Sequence, residues 1–531
     1  MRTATAEILP ECLIHKILSY LEYEEAAKMS ILSKTWLQAW LTHPNLLFRL
    51  YSEQDVKIID QILERYGDTK TPIYMFECSI YYRRYDFGKF FPLIDTWLTV
   101  ALNNGVKYLA YRDYLRSPSY PLSIVRTLAA KSLRELDLEG CDLMRVSLST
   151  SNVINCNSLR KLSLHDVHLD DKMFQILFAS CPLIVNIVIH HCVGLTEIEV
   201  RNLQKVKSVS IKTKKNQCVT IQAPTLEYLS YNGFSKESSM LDIVECWSLK
   251  SLELSCERIS DGFLEHLIFR SQFLESLILN SLSIGLESIN LCGSQSIKFL
   301  KILACEGIRE IDAPNLVTLE YMGSQIPKLK LAKESSQLKH SKLFLYCRNN
   351  ILNNAWFCEL KKFLSNSTSW SEVTLKFYQR NEINRKELQL LANPQLNIYP
   401  QVDVLDVEIY LTRECPAFLD ALLWSCHPTK LNLSSTYQMI TCFIDHLLYW
   451  KNFHSISCVI KNLYRQLKCL IHHIIYGSQL WHSRLKQVKA CRYDWIKMMS
   501  WKPEELTCME LARRNLWERD RICFLFDWHC T

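Results

Sequence analysis

The sequence predicts an α/β solenoid headed by a small three-helix unit, and three observations carry that expectation. Short apolar segments of the form L-x-x-L-x-L recur from about Val106 onward. Stretches with the apolar spacing of a helix lie between them. Ahead of them, the first forty residues set leucine, isoleucine and tryptophan on helical stripes, with Pro10 and Ser33 at positions that suit helix starts.

The recurrence is the strongest of the three. It includes Leu133/Leu136/Leu138, Leu159/Leu162/Leu164, Ile184/Ile187/Ile189, Leu249/Leu252/Leu254, Leu274/Leu277/Leu279 and Ile297/Leu300/Ile302. Where the series is regular its members start roughly 19 to 26 residues apart, the leucine-rich-repeat range. Between Ile184 and Val206 the step shortens, which leaves two readings open: half-repeats, or a shifted register. Alternating apolar residues make a short strand with one face inward, and each unit buries that face on its neighbour. Helical spacing at Met173, Ile176 and Leu177, and again at Phe263, Leu264, Leu267 and Ile268, supplies return helices. The expected result is a horseshoe with parallel strands on its concave face. A second echo, A-P-x-L-x-x-L-x-Y-x-G, occurs at residues 223–233 and 313–323, and its proline and glycine bracket a strand. Beyond about residue 325 the pattern loosens to strand-like pieces at 373–377, 404–410 and 431–433.

In the N-terminal segment, Leu9, Leu13, Ile14, Ile17, Leu18 and Leu21 share one broad helical stripe. Pro10 suits the first turn, and Glu11 complements the helix N-terminus. A second helix is expected from about residue 24 to 32. Ser33 then caps a third, with Trp36 and Trp40 one turn apart. Three short helices with this much leucine and tryptophan call for a partner surface.

Residues 9–40 resemble the F-box, in the version found in the large plant F-box families. The residues that carry the likeness are Leu9-Pro10, Ile14, Ile17, Leu18, Ser19, Leu21, Ala27, Ser30, Leu32, Ser33-Lys34, Trp36 and Trp40; Glu22 departs from it where many relatives have proline. The echo motif, Cys181-Pro182 and residues 97–109 look like plant F-box/leucine-rich-repeat proteins, and residues 481–489 are similar to the tail type called FBD. The resemblance implies four regions: an F-box at 1–45, a connecting and N-capping segment at 46–100, a repeat array at 101–435, and an FBD-like capping region at 436–531. It further implies a non-catalytic, substrate-recruiting subunit of a Skp-cullin-F-box ubiquitin ligase. Leu9, Pro10, Ile14, Ile17, Leu18, Leu21, Leu32 and Trp36 would face a Skp-type adaptor, and through it a cullin. The repeats would face an unidentified target protein. Two other readings stay open, a repeat scaffold merely capped by the helices, and a small-molecule sensor with a polyanionic phosphate cofactor, for which Arg134, Arg160, Arg201 and Lys250 could converge after folding.

Composition narrows the remaining classes. Twelve glycines in 531 residues is about 2%, against a typical ~7%, which leaves little material for glycine-rich phosphate loops. The net charge of +7 is spread along the chain, with Lys212, Lys214 and Lys215 a rare local cluster, so no nucleic-acid stripe is expected. Twenty-two cysteines at irregular spacings, with no C-x-x-C, read as buried thiols in a reducing compartment rather than a disulfide framework. Residues 1–7 are polar, and no apolar run approaches the ~18 residues of a membrane helix. Neither secretion nor a membrane is expected, and the nucleus, the cytoplasm or both fit. No catalytic or metal-binding motif is present; His165/His168, His190-His191 and His472-His473 lack partners in sequence, and no cofactor is expected.

Overall fold

Parallel pairing in constant register turns a sequence repeat into buried rows, and the computed structural model shows such rows directly. It describes residues 9–21, 23–81, 87–115, 119–144, 155–214, 217–233, 241–256, 261–280, 286–305, 307–332, 338–347, 352–378, 383, 399–409, 416–436, 439–447, 484–494, 499–500, 504–505 and 521–528. The chain divides into two units, Met1–Cys256 and Glu257–Thr531.

In the first unit, three helices, α1 (Glu11–Leu18), α2 (Tyr23–Met29) and α3 (Lys34–Leu41), precede a ladder of parallel strands. The ladder runs Asn45–Leu50, Met75–Ile80, Tyr108–Asp113, Glu135–Glu139, Lys161–His165, Asn186–His190, Ser208–Lys212, Tyr228–Gly233 and Ser251–Cys256, each strand paired with the next. Side chains two apart fall in register. Leu109, Leu136, Leu162, Ile187, Val209, Leu229 and Leu252 form one buried row, and Tyr111, Leu138, Leu164, Ile189, Ile211, Tyr231 and Leu254 form the next.

The return segments change character along this unit. Helices α4 (Glu53–Thr69) and α5 (Phe91–Asn103), and later Asp171–Ala179, cover the early repeats. Later returns are short strands, Glu197–Val200, Cys218–Gln222 and Leu241–Val244, themselves paired in parallel. A strand advances about 3.3 Å per residue against 1.5 Å for a helix, so a strand return needs fewer residues. The step accordingly falls from 25 residues between Lys161 and Asn186, where the helix Asp171–Ala179 makes the return, to 20 between Ser208 and Tyr228. This settles the short step after Ile184: Ile187 pairs with Val209 in full register, so these are whole repeats with compact returns.

In the second unit, Ser276–Asn280, Phe299–Leu303, Thr318–Gly323, Ser341–Cys347, Ser369–Phe377, Gln401–Ile409 and His427–Ser434 again pair in parallel. Arg521–Trp528 then adds antiparallel to His427–Ser434, and Leu485–Asp494 adds antiparallel to that. A strand edge left bare would expose unpaired amides and carbonyls, and this reversal covers it.

Two expected boundaries move. The segment at 46–100 was expected to connect and cap, yet Asn45–Leu50 and Met75–Ile80 are already ladder strands. Neither carries the L-x-x-L-x-L spacing, Asn45–Leu50 reading N-L-L-F-R-L and Met75–Ile80 M-F-E-C-S-I, so a search for that motif passes over them. Past 325 the ladder does not loosen; its strands lengthen, to nine residues in Ser369–Phe377 and Gln401–Ile409.

The echo motif has a packing cause. Tyr231 and Tyr321 are buried, and each ring lies against the glycine two residues on. A Cβ at Gly233 would sit 2.6 Å from the Tyr231 hydroxyl oxygen. Upstream, the Ala223 carbonyl accepts from Leu226 N at 3.1 Å and the Ala313 carbonyl from Leu316 N at 3.2 Å, closing the turn that holds each proline.

Aspartates at two helix starts tie repeats together in each unit. Asp171 accepts the backbone N–H groups of Thr196 (2.8 Å) and Glu197 (3.1 Å), and Asp261 accepts Glu287 N (3.2 Å) and the Ser288 hydroxyl (2.9 Å). Buried thiols do related work: Cys192 and Cys246 each donate to the carbonyl of a neighbouring repeat, at 3.6 and 3.7 Å.

Candidate adaptor-binding surface

The three-helix unit closes on a small core of Ile14, Leu18, Ala26, Trp36 and Ala39, with Leu21, Met29 and Trp40 packed against it. Pro10 is the residue before α1 rather than in its first turn, and its carbonyl accepts from Leu13 N (2.9 Å) and Ile14 N (3.1 Å). Ser33 caps α3 as the sequence predicts, its hydroxyl accepting from Trp36 N at 3.3 Å. The core is anchored on the start of the ladder. Arg65 of α4 lies over the Trp40 ring at 5.4 Å, Tyr66 donates its hydroxyl proton to the His43 carbonyl at 2.7 Å, and the His15 and His43 rings stack at 5.9 Å. Burial, with a smaller push from His15, lowers the His43 pKa to about 4, so the His43 ring is neutral at neutral pH.

The broad apolar stripe of α1 splits in two. Ile14 and Leu18 face inward, and Trp36 of α3 is only 2% exposed. These three of the eight expected contact residues are therefore core, where their packing shapes the surface without forming it. Leu21 is half-buried against that core, while Leu9, Pro10, Ile17 and Leu32 are exposed. Four further apolar side chains share this exposure: Leu13 at 45%, Tyr20 at 78%, Ile31 at 85% and Leu37 at 41%. Leu13 and Ile17 stand four residues apart, one line along α1, and Leu9 lies just ahead of that helix. The stripe's excess width, more than one small core can absorb, was the sequence signal for them. Glu22, the departure from the F-box pattern, lies outside the described residues.

The open face of the ladder is polar. Arg112 spans neighbouring strands, its guanidinium 2.6 Å from Glu77 and 2.7 Å from Asp137. Beyond it, His165 and His190 meet at 4.8 Å, and His190 Nε2 is 3.0 Å from the Ser210 hydroxyl. Burial, then the neighbouring His165 charge, pulls the His190 pKa down to about 4. Tyr51, Tyr81 and Tyr114 stack at 5.0 and 4.8 Å just past three successive strands.

The other singled-out residues disperse. His168 lies 3.6 Å from Asp142, and Lys214 lies 3.6 Å from Asp166. Lys215 and His472-His473 lie outside the described residues. Among the described residues no group of three or more histidine, cysteine or acidic side chains could hold a metal ion, and no helix is long and apolar enough to cross a membrane. Of the four cations expected to converge, Arg201 pairs with Glu199 at 3.1 Å and Lys250 with Glu227 at 3.1 Å. Arg134 and Arg160 do meet, lining one groove with Lys107 and Lys131.

Comparison with known proteins now bears on this arrangement. Residues 7–48 match the F-box domain, and residues 75–245 and 238–382 match the family described as At1g61320/AtMIF1, LRR domain. The chain belongs to the plant F-box/leucine-rich-repeat family. This F-box/leucine-rich-repeat chain is 24% identical to the F-box/LRR-repeat protein At3g03360 of Arabidopsis thaliana over 58% of its own length and 62% of that relative's. It is 27% identical to the FBD-associated F-box protein At3g52670 from the same plant, over 48% of the chain and 61% of the relative. A third relative, F-box/LRR-repeat protein 25 of Arabidopsis thaliana, is 25% identical over 42% of the chain and 83% of the relative. The chain thus matches less than two thirds of the length of the first two. Both family matches, F-box and repeat, are of kinds that in general serve as non-catalytic adaptors.

Proposed function

We propose that this protein is a substrate-recruiting subunit of a Skp-cullin-F-box ubiquitin ligase, held to a Skp-type adaptor by the exposed apolar line of its F-box and to a target protein by its repeats. The observation that carries this reading is the set Leu9, Leu13, Ile17, Tyr20, Ile31, Leu32 and Leu37, exposed among the described residues on a unit whose core is already filled. Exposed apolar side chains gathered on one small unit cost free energy in water until a partner covers them. The chain itself would perform no chemistry. It would hold a target lysine near the conjugating enzyme at high effective concentration. The free described cysteines, most of them buried, suit a reducing compartment, so we place the protein in nucleus or cytoplasm.

The test is a pull-down of the full chain with a plant Skp-type adaptor, beside Leu13→Asp/Ile17→Asp. Capture of the wild type and loss of the variant, with both equally folded, is the expected result. A folded wild type that ignores the adaptor would leave a repeat scaffold with a helical cap.

A further inference from the structure

Each ladder strand is preceded by one rim residue, and backbone hydrogen bonds bring successive rims side by side. Arg134 N donates to the Lys107 carbonyl (2.8 Å), Arg160 N to the Arg134 carbonyl (2.7 Å) and Val185 N to the Arg160 carbonyl (2.8 Å). Further along, the same position reads Lys207, Glu227 and Lys250. There the charges alternate and satisfy one another, Glu227 lying 3.0 Å from Lys207 and 3.1 Å from Lys250. In the earlier repeats the position reads Lys107, Arg134 and Arg160, three cations in a row. Lys131 joins them, and the four, with Ser132 and Ser158, line an open groove of about 420 Å³.

Among the described residues no carboxylate pairs with these four cations. The nearby Glu135 is engaged by Lys161 at 3.7 Å. Lys107 is steered by the Tyr74 ring, 5.0 Å below its Nζ, and Arg160 is pinned by donating to the Asn157 (2.8 Å) and Leu159 (3.1 Å) carbonyls. Neither contact supplies negative charge. Like charges on adjacent strands, about 4.8 Å apart, repel one another. The repeat S-L-R, at residues 132–134 and 158–160, sets a hydroxyl beside a guanidinium twice over, which suits an oxyanion.

We propose that this rim groove docks an acidic, extended peptide segment of the target, whose carboxylates or phosphoryl group meet Arg134, Arg160, Lys107 and Lys131. This deepens the target-recruiting half of the reading above and rests on it only for calling the peptide a target. The groove is open, as an extended chain requires, and its lining residues include no aromatic ring; Tyr74 beside Lys107 is a single ring rather than a series that would stack successive nucleic-acid bases.

The probe is a fluorescein-labelled peptide of alternating glutamate and serine, made with and without a central phosphoserine, titrated by fluorescence polarisation into the full chain. The wild type should bind, and Arg134→Ala/Arg160→Ala should weaken binding by about tenfold or more. Lys207→Ala/Lys250→Ala removes the same formal charge from the self-neutralised stretch and should leave affinity within about twofold. Absence of binding, or equal loss in both double variants, overturns the proposal. So does a single-stranded RNA or free inositol polyphosphate that binds more tightly with the same dependence on Arg134 and Arg160. The arginines are exposed, so both variants should melt with the wild type. Adaptor capture, measured separately, should be untouched by Arg134→Ala/Arg160→Ala, so failure of the peptide assay and failure of the ligase reading remain distinct.

Discussion

The three-helix unit and the ladder that follows it use the same apolar residue types to opposite ends. In the ladder, each inward side chain finds its counterpart one repeat away; Leu136, Leu138, Leu162 and Leu164 are at most 1% exposed. In the helical unit, a core built around Ile14, Leu18 and Trp36 is surrounded by apolar side chains left exposed among the described residues. Repetition supplies a buried partner for every face except those at the ends. A short helical unit has no neighbouring copy, and its surplus apolar surface becomes a binding surface. The difference teaches that exposure, rather than residue type, separates the F-box side chains that fold the unit from those free to meet a partner.

The largest expected effects come from breaking that separation on each side. Trp36→Ala removes a core ring and should cost about 3–5 kcal/mol, visible as loss of the F-box segment's protection from proteolysis. Leu13→Asp/Ile17→Asp should leave that protection intact while lowering adaptor affinity by about a hundredfold or more, the scale of two interface hot spots. If both variants lost protection alike, the exposed line would belong to the fold and the comparison would collapse.

A smaller effect probes how the ladder fits itself. Gly233→Ala places a methyl group against the buried Tyr231 ring, whose near atoms would lie 2.6 to 2.9 Å away. Overpacking of this kind costs about 1–3 kcal/mol. Gly262→Ala, in the helix Asp261–Arg270 with open space at its Cβ, should cost nothing and could stabilise slightly. Denaturant midpoints of the two variants check the contrast, and equal shifts would remove the packing account of the Y-x-G echo.

Much of this was legible in the sequence, for reasons that differ by region. L-x-x-L-x-L gave the ladder because strand register is set by side-chain alternation, which one chain displays on its own. Ser33 gave the start of α3 because capping is local. The inward and outward lines of α1 were not separable, since Leu13 and Ile14 are adjacent in sequence and their fates depend on where α3 packs. The first two strands were missed because neither NLLFRL nor MFECSI carries the L-x-x-L-x-L spacing. The rim groove was half visible: Arg134 and Arg160 occupy matching places in S-L-R, but that Lys107 and Lys131 join them while Arg201 and Lys250 pair elsewhere follows only from the folded register.

The smallest effect concerns how the second unit finishes its ladder. His427 opens the strand His427–Ser434, and its ring is stacked between Tyr399 at 4.2 Å and Trp528 at 4.1 Å. Trp528 is fixed by donating its indole N–H to the Pro428 carbonyl at 2.8 Å, so strand, reversal and stack form one closure. Burial, reinforced by the positive charges of Arg484 and Lys361, pulls the His427 pKa down to about 3. An unfolded histidine titrates near 6.5, so as pH falls the unfolded chain takes up this proton first. Stability at this site is therefore undiminished above about pH 6.5 and drains away between there and pH 3, with a slope approaching about 1.4 kcal/mol per pH unit. His427→Phe keeps an aromatic ring in the stack and removes the titration. Urea midpoints of wild type and variant, compared from about pH 7.5 to 5, should converge at the acid end relative to their difference at neutral pH, because His43 and His190 titrate alike in both. Parallel midpoints across that range would mean that His427 takes up its proton in the folded stack as readily as in the unfolded chain, and that the stack does not hold the ring neutral.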